Sequence, residues 1–257
     1  MGTIPKAVEK RVRDGIKKYK NVLRSAKDRD VNESDTVTIV TDMLADICGY
    51  DKYNEITREF AIRGTYCDLA IKLDEKILFL IEVKAIGIAL KDSHLRQALQ
   101  YASSSGIEWV VLTNGDHWQA HRVIFEKPVK TEVAFDFSFI ELPKVSKLIE
   151  FFFLLGKEGA KKSAIDAYHE ESQLTSRFMI AQIIQTEPLL NVIRKQLRAL
   201  SNKVKITNED ILNTLQTQIL KREVTEGEEA IHAKKRLNYA FRFQKRVPTR
   251  KEEKDPE

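Results

Sequence analysis

The run Ile77-Leu-Phe-Leu-Ile-Glu-Val-Lys-Ala85 constrains this chain more than any other stretch. Five apolar residues lead straight into Glu82, Val83 and Lys84. Such a run reads as a buried strand. Charges at its end need a reason, because an ion left unpaired in an apolar setting costs several kcal/mol. Side chains alternate along a strand, so Glu82 and Lys84 share one side while Phe79, Ile81 and Val83 take the other. The triplet alone is weak evidence. Carboxylate-x-Lys occurs three times, as Asp74-x-Lys76, Glu82-x-Lys84 and Glu252-x-Lys254, and only the middle copy ends an apolar run.

The neighbouring segments decide what the pair of charges faces. Tyr66 to Leu73 alternates Cys67, Leu69, Ile71 and Leu73 against Tyr66, Asp68, Ala70 and Lys72, and Asp74-Glu75-Lys76 joins it to the next strand. A three-residue hairpin loop pairs Leu73 with Ile77 and, followed back, sets Asp68 opposite Glu82. A two-residue loop would put them on opposite faces. Upstream, Glu55 to Ile62 alternates loosely as a further strand, preceded by a helix from about Asn32 to Cys48 that Gly49 closes. That helix carries the stripe Val37, Val40, Leu44 and Ile47, and Glu33 lies one turn back on the same face. Glu33 is either a helix-start carboxylate favoured by the macrodipole or part of a site.

Residues 4 to 29 read as a helix with Pro5 in its first turn and Val8, Val12, Ile16, Tyr19, Leu23 and Ala26 at spacings of three and four. Lys6, Lys10, Arg11, Arg13, Lys17, Lys18, Lys20, Arg24 and Lys27 fill the rest, as a solvated face or as phosphate contacts. After Ala85 the pattern gives a helix over Lys91–Ser104, with Gln97 and Tyr101 one turn apart, and a compact strand over Ile107–Thr113. The turn Asn114-Gly115 leads to a strand over His117–Ile124 and an added strand over Val133–Ile140 with Phe135, Phe137 and Phe139 on one face. Helices alternating with strands predict an α/β fold, a mixed central sheet flanked by helices. Beyond Pro143 the pattern is helical: Val145–Leu155, Ala160–Gln185, Pro188–Leu200 and Asn208–Val224. The expected domains are a basic helix over 1–31, a core over 32–142, a helical region over 143–243 and a disordered tail over 244–257.

Lys and Arg number 43 against 38 Asp and Glu, a modest basic excess that fits an acidic partner such as nucleic acid. Two cysteines, Cys48 and Cys67, make neither a disulfide framework nor a zinc cluster, which suits a reducing cytoplasm. No apolar run reaches the roughly 18 residues of a membrane span. His94, His117, His121, His169 and His232 are scattered, and these, Trp109, Trp118 and Phe151-Phe152-Phe153 fit packing or surface roles better than a ligand site.

Magnesium takes a few carboxylate oxygens and keeps several waters. Asp68 and Glu82 on one face, with the Val83 carbonyl, can supply such a set, and Lys84 beside them can orient water or stabilise a pentacovalent phosphate. The same residues can instead form a mutually paired cluster at a hairpin end, and spacing alone leaves both readings open. From about Glu33 to Val123, however, the chain resembles the PD-(D/E)xK nuclease superfamily, and within it the N-terminal nuclease region of type I restriction enzyme R subunits. The resemblance rests on Asn32-Glu33, Arg58-Glu59-Phe60, Arg63-Gly-Thr-Tyr-Cys-Asp68, Ile81-Glu-Val-Lys84, Gln97-Ala-Leu-Gln-Tyr101 and Glu108-Trp-Val-Val-Leu-Thr-Asn-Gly115, in that order. Gln-x-x-x-Tyr after Glu-x-Lys is similar to RecB-like nucleases. Cys67 stands where the superfamily name has Pro.

The resemblance implies a metal-dependent deoxyribonuclease, an endonuclease in which Asp68 and Glu82 hold Mg²⁺ (Mn²⁺ substituting), Lys84 assists catalysis and Glu33 completes the metal site directly or through water. Gln97 and Tyr101 are then the helix pair that contacts DNA or supports the active site. The alternative is a catalytically silent DNA-binding or assembly module with the same fold. These 257 residues hold no Gly-x-x-x-x-Gly-Lys-Ser/Thr phosphate loop, so a stand-alone nuclease, a homo-oligomer, or one working with a separate motor or methyltransferase subunit is expected.

Overall fold

The computed structural model describes residues 3–62, 65–201 and 203–244. They form two compact units, one running to His169 and the other starting at Glu170. The first opens with α1 (Lys6–Asp28) and α2 (Glu33–Asp46), followed by β1 (Ile56–Ile62), β2 (Thr65–Leu73) and β3 (Lys76–Val83). Next come α3 (Asp92–Ser105), β4 (Trp109–Thr113), β5 (His117–Ile124), β6 (Lys130–Ser138), α4 (Val145–Leu155) and α5 (Lys157–Ala160), with α6 (Ala164–Leu174) at the boundary. The six strands lie in sequence order in one mixed sheet. All neighbours are antiparallel except β3 and β4, which are parallel because α3 carries the chain across between them.

The predicted stripe of α1 is buried as read, with Gly15 added to it. A side chain at Gly15 would meet Ile47 Cγ1 at 2.6 Å, so glycine there lets the two helices approach closely. Asn32 caps α2 by accepting from the Asp35 N–H at 2.9 Å. On one face of the sheet, α1, α2 and α4 close over Leu69, Ile71, Phe79, Ile81, Val83, Val111 and Trp118. On the other, α3 covers Cys67, Ala70, Leu80, Val110 and Leu112. The aromatic face predicted for β6 is where α4 docks: Phe135 and Phe137 stack on Phe151 with centroids 4.9 and 4.8 Å apart. The first unit therefore extends past the expected boundary at 142, because Phe151, Phe152 and Phe153 complete the core of the sheet.

The hairpin between β2 and β3 differs from the expected one. Leu73 pairs with Lys76, so the turn is the two residues Asp74-Glu75, both in the left-handed region at φ 48 and 65. The register then shifts: Lys72 faces Ile77 but Ile71 faces Phe79, leaving Leu78 as an extra residue on β3.

The second unit is helical: α7 (Arg177–Ile184), α8 (Glu187–Leu200), α9 (Asn208–Thr214) continuing into a π-helical turn over Leu215–Ile219, α10 (Arg222–Thr225) and α11 (Glu228–Gln244). Leu190, Ile211 and Leu215 form its core. The helix expected over 160–185 is three pieces, since Ser163 has a positive φ of 48 and Ser176 starts a new helix by accepting from the Met179 N–H. The tail expected over 244–257 lies, after Gln244, outside the described residues.

Asp116, 1% exposed at its side chain, sits where α1 meets the β4–β5 turn. Burial alone would raise its pKa, but hydrogen bonds from the Ile140 N–H, Lys27 Nζ and Ser138 Oγ outweigh this and hold the carboxyl below its usual range. Such a group stabilises the fold above its unfolded pKa, about 3.9, and the contribution disappears as pH falls through the lower folded value. Asp116→Asn should therefore cost about 1–3 kcal/mol at pH 7, and the gap to wild type should close below about pH 4, read by urea unfolding at each pH.

Candidate active site

β3 delivers Glu82 and Lys84 to the end of the sheet where α2 begins. Pairing with β4 continues past the strand, since the Lys84 N–H donates to the Thr113 carbonyl at 2.8 Å. Lys84 Nζ lies 2.7 Å from Glu82 Oε1 and 3.5 Å from Glu33 Oε2. Glu33, half-exposed in the first turn of α2, thus reaches the site as its helix face predicts. Leu69 faces Ile81, and continuing that register by one residue brings Asp68 opposite Glu82. Asp68 Oδ2 accepts from the Val83 N–H at 2.7 Å. The expected juxtaposition is present, but it is reached by a two-residue turn plus a bulge instead of a three-residue loop.

The electrostatics are those of crowded acids around one cation. Glu82 is only 6% exposed. Burial raises its pKa, and the nearby Asp68 and Glu33 charges add to this against the opposing bond from Lys84. Asp68 is likewise raised, by burial first and then by Glu33 and Glu59, against the Val83 N–H and the Lys84 charge. For Lys84 burial works downward, but its bond to Glu82 and the surrounding carboxylates prevail, so its pKa is raised and it is an ammonium at neutral pH.

On α3, Gln97 is exposed, while Tyr101 is 2% exposed in the same core cluster as Cys67, the neighbour of Asp68. Arg63 and Gly64 of the quoted motif lie outside the described residues. His117 is exposed and His121 buried, while Trp109 and Trp118 are core residues.

Two residues that lie in the quoted motifs have no role assigned from sequence. Glu59 has a positive φ of 48 inside β1, at the position facing Asp68, an uncommon conformation for a carboxylate in a strand. The other is Asn114, whose Nδ2 donates to the carbonyls of Ile86 and Ile88 at 3.2 and 2.9 Å. Its Oδ1 accepts from the N–H groups of Asp116 and His117 at 3.1 and 2.7 Å. One buried amide thereby ties the β4–β5 turn to the loop leaving Lys84. In the sequence the Asn-Gly step reads simply as a turn, at the end of the motif that begins at Glu108.

Among the described residues, no group of three or more His, Cys, Asp or Glu side chains is arranged to hold a metal ion. Magnesium does not require one: it is commonly held by one or two carboxylates with waters completing the octahedron. Two oxygen-bearing side chains on paired strands, Asp68 and Glu82, beside a backbone carbonyl at Val83, are a donor set of the right hardness and number, and both carboxylates are destabilised by burial in a way that a cation would relieve.

Fold and site together define an α/β module with a carboxylate–lysine pair at the end of a central strand. Residues 38–133 match the family model of the type I restriction enzyme R protein N terminus. The match contains Asp68, Glu82, Lys84, Gln97 and Tyr101, whereas Glu33 and α1 precede it. No curated protein and no solved structure matches the chain. Among the described residues no helix is long and apolar enough to cross a membrane.

Because the folded state disfavours the Glu82 charge, its neutral isostere should be easier to bury. Glu82→Gln is expected to raise unfolding stability, by on the order of 1 kcal/mol in the presence of EDTA at pH 7, measured by urea denaturation. An unchanged or lower midpoint would show that the Lys84 pairing outweighs burial.

Proposed function

We propose that the protein is a metal-dependent deoxyribonuclease of the PD-(D/E)xK type that hydrolyses phosphodiester bonds in DNA. The observation that carries this reading is a buried carboxylate, Glu82, joined to Lys84 and facing Asp68 across a strand pair, inside the stretch that matches the restriction R-protein family. Asp68, Glu82 and the Val83 carbonyl would hold Mg²⁺ or Mn²⁺, with Glu33 reaching it directly or through water. The ion, when bound, supplies Lewis acidity toward a phosphoryl oxygen and a more acidic water.

Lys84 is charged, so it donates protons in hydrogen bonds to the attacking water and a phosphoryl oxygen and does not accept one as a base. The Val83 N–H fixes one oxygen of Asp68, leaving the other for the ion. Glu33 and Glu82 together keep the ammonium between them. Gln97, exposed on α3, would contact DNA, and buried Tyr101 would support the strand ends. A cytoplasmic location, a second copy of this chain, and a separate motor or methyltransferase subunit belong to the same reading.

Purified protein should cut plasmid and linear DNA with Mg²⁺ or Mn²⁺ and not with EDTA. Lys84→Ala should reduce the rate by about 10²–10³-fold, the loss typical of removing one donor to developing charge. Equal cleavage by Lys84→Ala would overturn the assignment of the site. Salt-dependent DNA binding without cleavage under any metal would favour the silent binding module.

A further inference from the structure

We propose that one flank of α1 is a track for the phosphate backbone of duplex DNA, leading to the site at the end of β3. The proposal rests on the nuclease reading above and deepens it. Lys10, Arg13, Lys17, Lys20, Arg24 and Lys27 follow one another at alternating steps of four and three or three and four, so they line one side of the helix. All are exposed except half-buried Lys20. The row is distinct from the buried stripe, and also from the flank that turns to α2 and α5, where Arg11 bonds Glu158 and Lys18 bonds Asp46.

The cations of that inner flank are paired; those of the outer row mostly are not. Arg13 meets Glu9 at 2.8 Å and Lys27 meets Asp116 at 3.1 Å. Among the described residues Lys10, Lys17, Lys20 and Arg24 form no ion pair. Folding gains nothing from this arrangement, since like charges one turn apart repel. A phosphate backbone neutralises it. The seventeen steps from Lys10 to Lys27 rise about 25 Å, a length of duplex that carries about seven phosphates per strand.

Position supports the same partner. The last turns of α1 lie on the β4–β5 turn, where Lys27 holds Asp116 and Leu23 packs within 3.1 Å of where a side chain at Gly115 would begin. That turn is tied through Asn114 to the loop that leaves Lys84. A lipid surface does not fit, because the apolar face that would enter it, including Val12 and Leu23, is wholly buried in the core.

The test is binding of a labelled 30-base-pair duplex by the full chain in EDTA, across a salt series, with circular dichroism to confirm the fold. Combining Lys10→Gln, Lys17→Gln, Lys20→Gln and Arg24→Gln should reduce the slope of log K against log salt by about 2–4, since each phosphate contact contributes about 0.9. The dissociation constant should rise at least about tenfold. A control removing the same charge elsewhere, Lys76→Gln, Lys144→Gln, Lys161→Gln and Lys162→Gln, should leave the slope nearly unchanged. An unaltered slope in the α1 variant, or an equal loss in the control, overturns the track. Because binding is read without metal, wild-type cleavage with an unaltered slope sinks only the track, and a reduced slope without wild-type cleavage sinks only the nuclease reading.

Discussion

Glu82 is a carboxylate almost sealed from water and hydrogen-bonded to the Lys84 ammonium, and most of the surrounding structure serves to keep the two in place. Charge burial is opposed by desolvation, so the pair persists only if the backbone beneath it is fixed by contacts that do not depend on it. Those contacts are visible. Lys84 continues the parallel pairing with Thr113, Val83 donates to Asp68, and the chain beyond is pinned at Ile86 and Ile88 by Asn114. The apolar side chains of Ile81 and Val83, under α1, α2 and α4, supply the burial that makes the arrangement affordable.

This explains why the acids around Lys84 come from separate elements. Glu33 belongs to α2, Asp68 to β2 and Glu82 to β3, so no local segment has to accommodate their mutual repulsion unaided. α2 contributes a carboxylate from its first turn, where the helix dipole favours it. A module with excess negative charge at a strand end, next to a helix bearing a largely unpaired basic row, presents opposite potentials side by side.

Much of the first unit was legible because its elements have clean periods. The α1 stripe and the runs of β2 and β3 needed only the spacing of apolar residues, and the site followed once Asp68, Glu82, Lys84 and Glu33 were placed on them. The hairpin shows the limit. The three-residue loop read from sequence was wrong and the facing of Asp68 and Glu82 was right, because two local irregularities, a short turn and a bulge at Leu78, cancel. Neither has a strong signature: Asp74-Glu75 lacks the glycine that usually marks such a turn. The roles of Asn114 and Glu59 depend on contacts or backbone angles that no pattern of polarity encodes. In the second unit, Ser163 and Ser176 break a long apolar pattern by conformation and capping, which periodicity does not register.

The turn and bulge make the hairpin a buffer for changes of length. Because Ile71 faces Phe79 beyond the bulge, losing Leu78, or adding one residue to Asp74-Glu75, is absorbed locally and leaves Asp68 opposite Glu82. A slip that closed the bulge with no residue removed, so that Ile71 faced Leu78, would instead set Ile81 opposite Asp68 and turn Glu82 away. Length variation between Leu73 and Phe79 is therefore permitted while the Ile71–Phe79 pair holds, and two chains with different turns here can present the same acids on the same face.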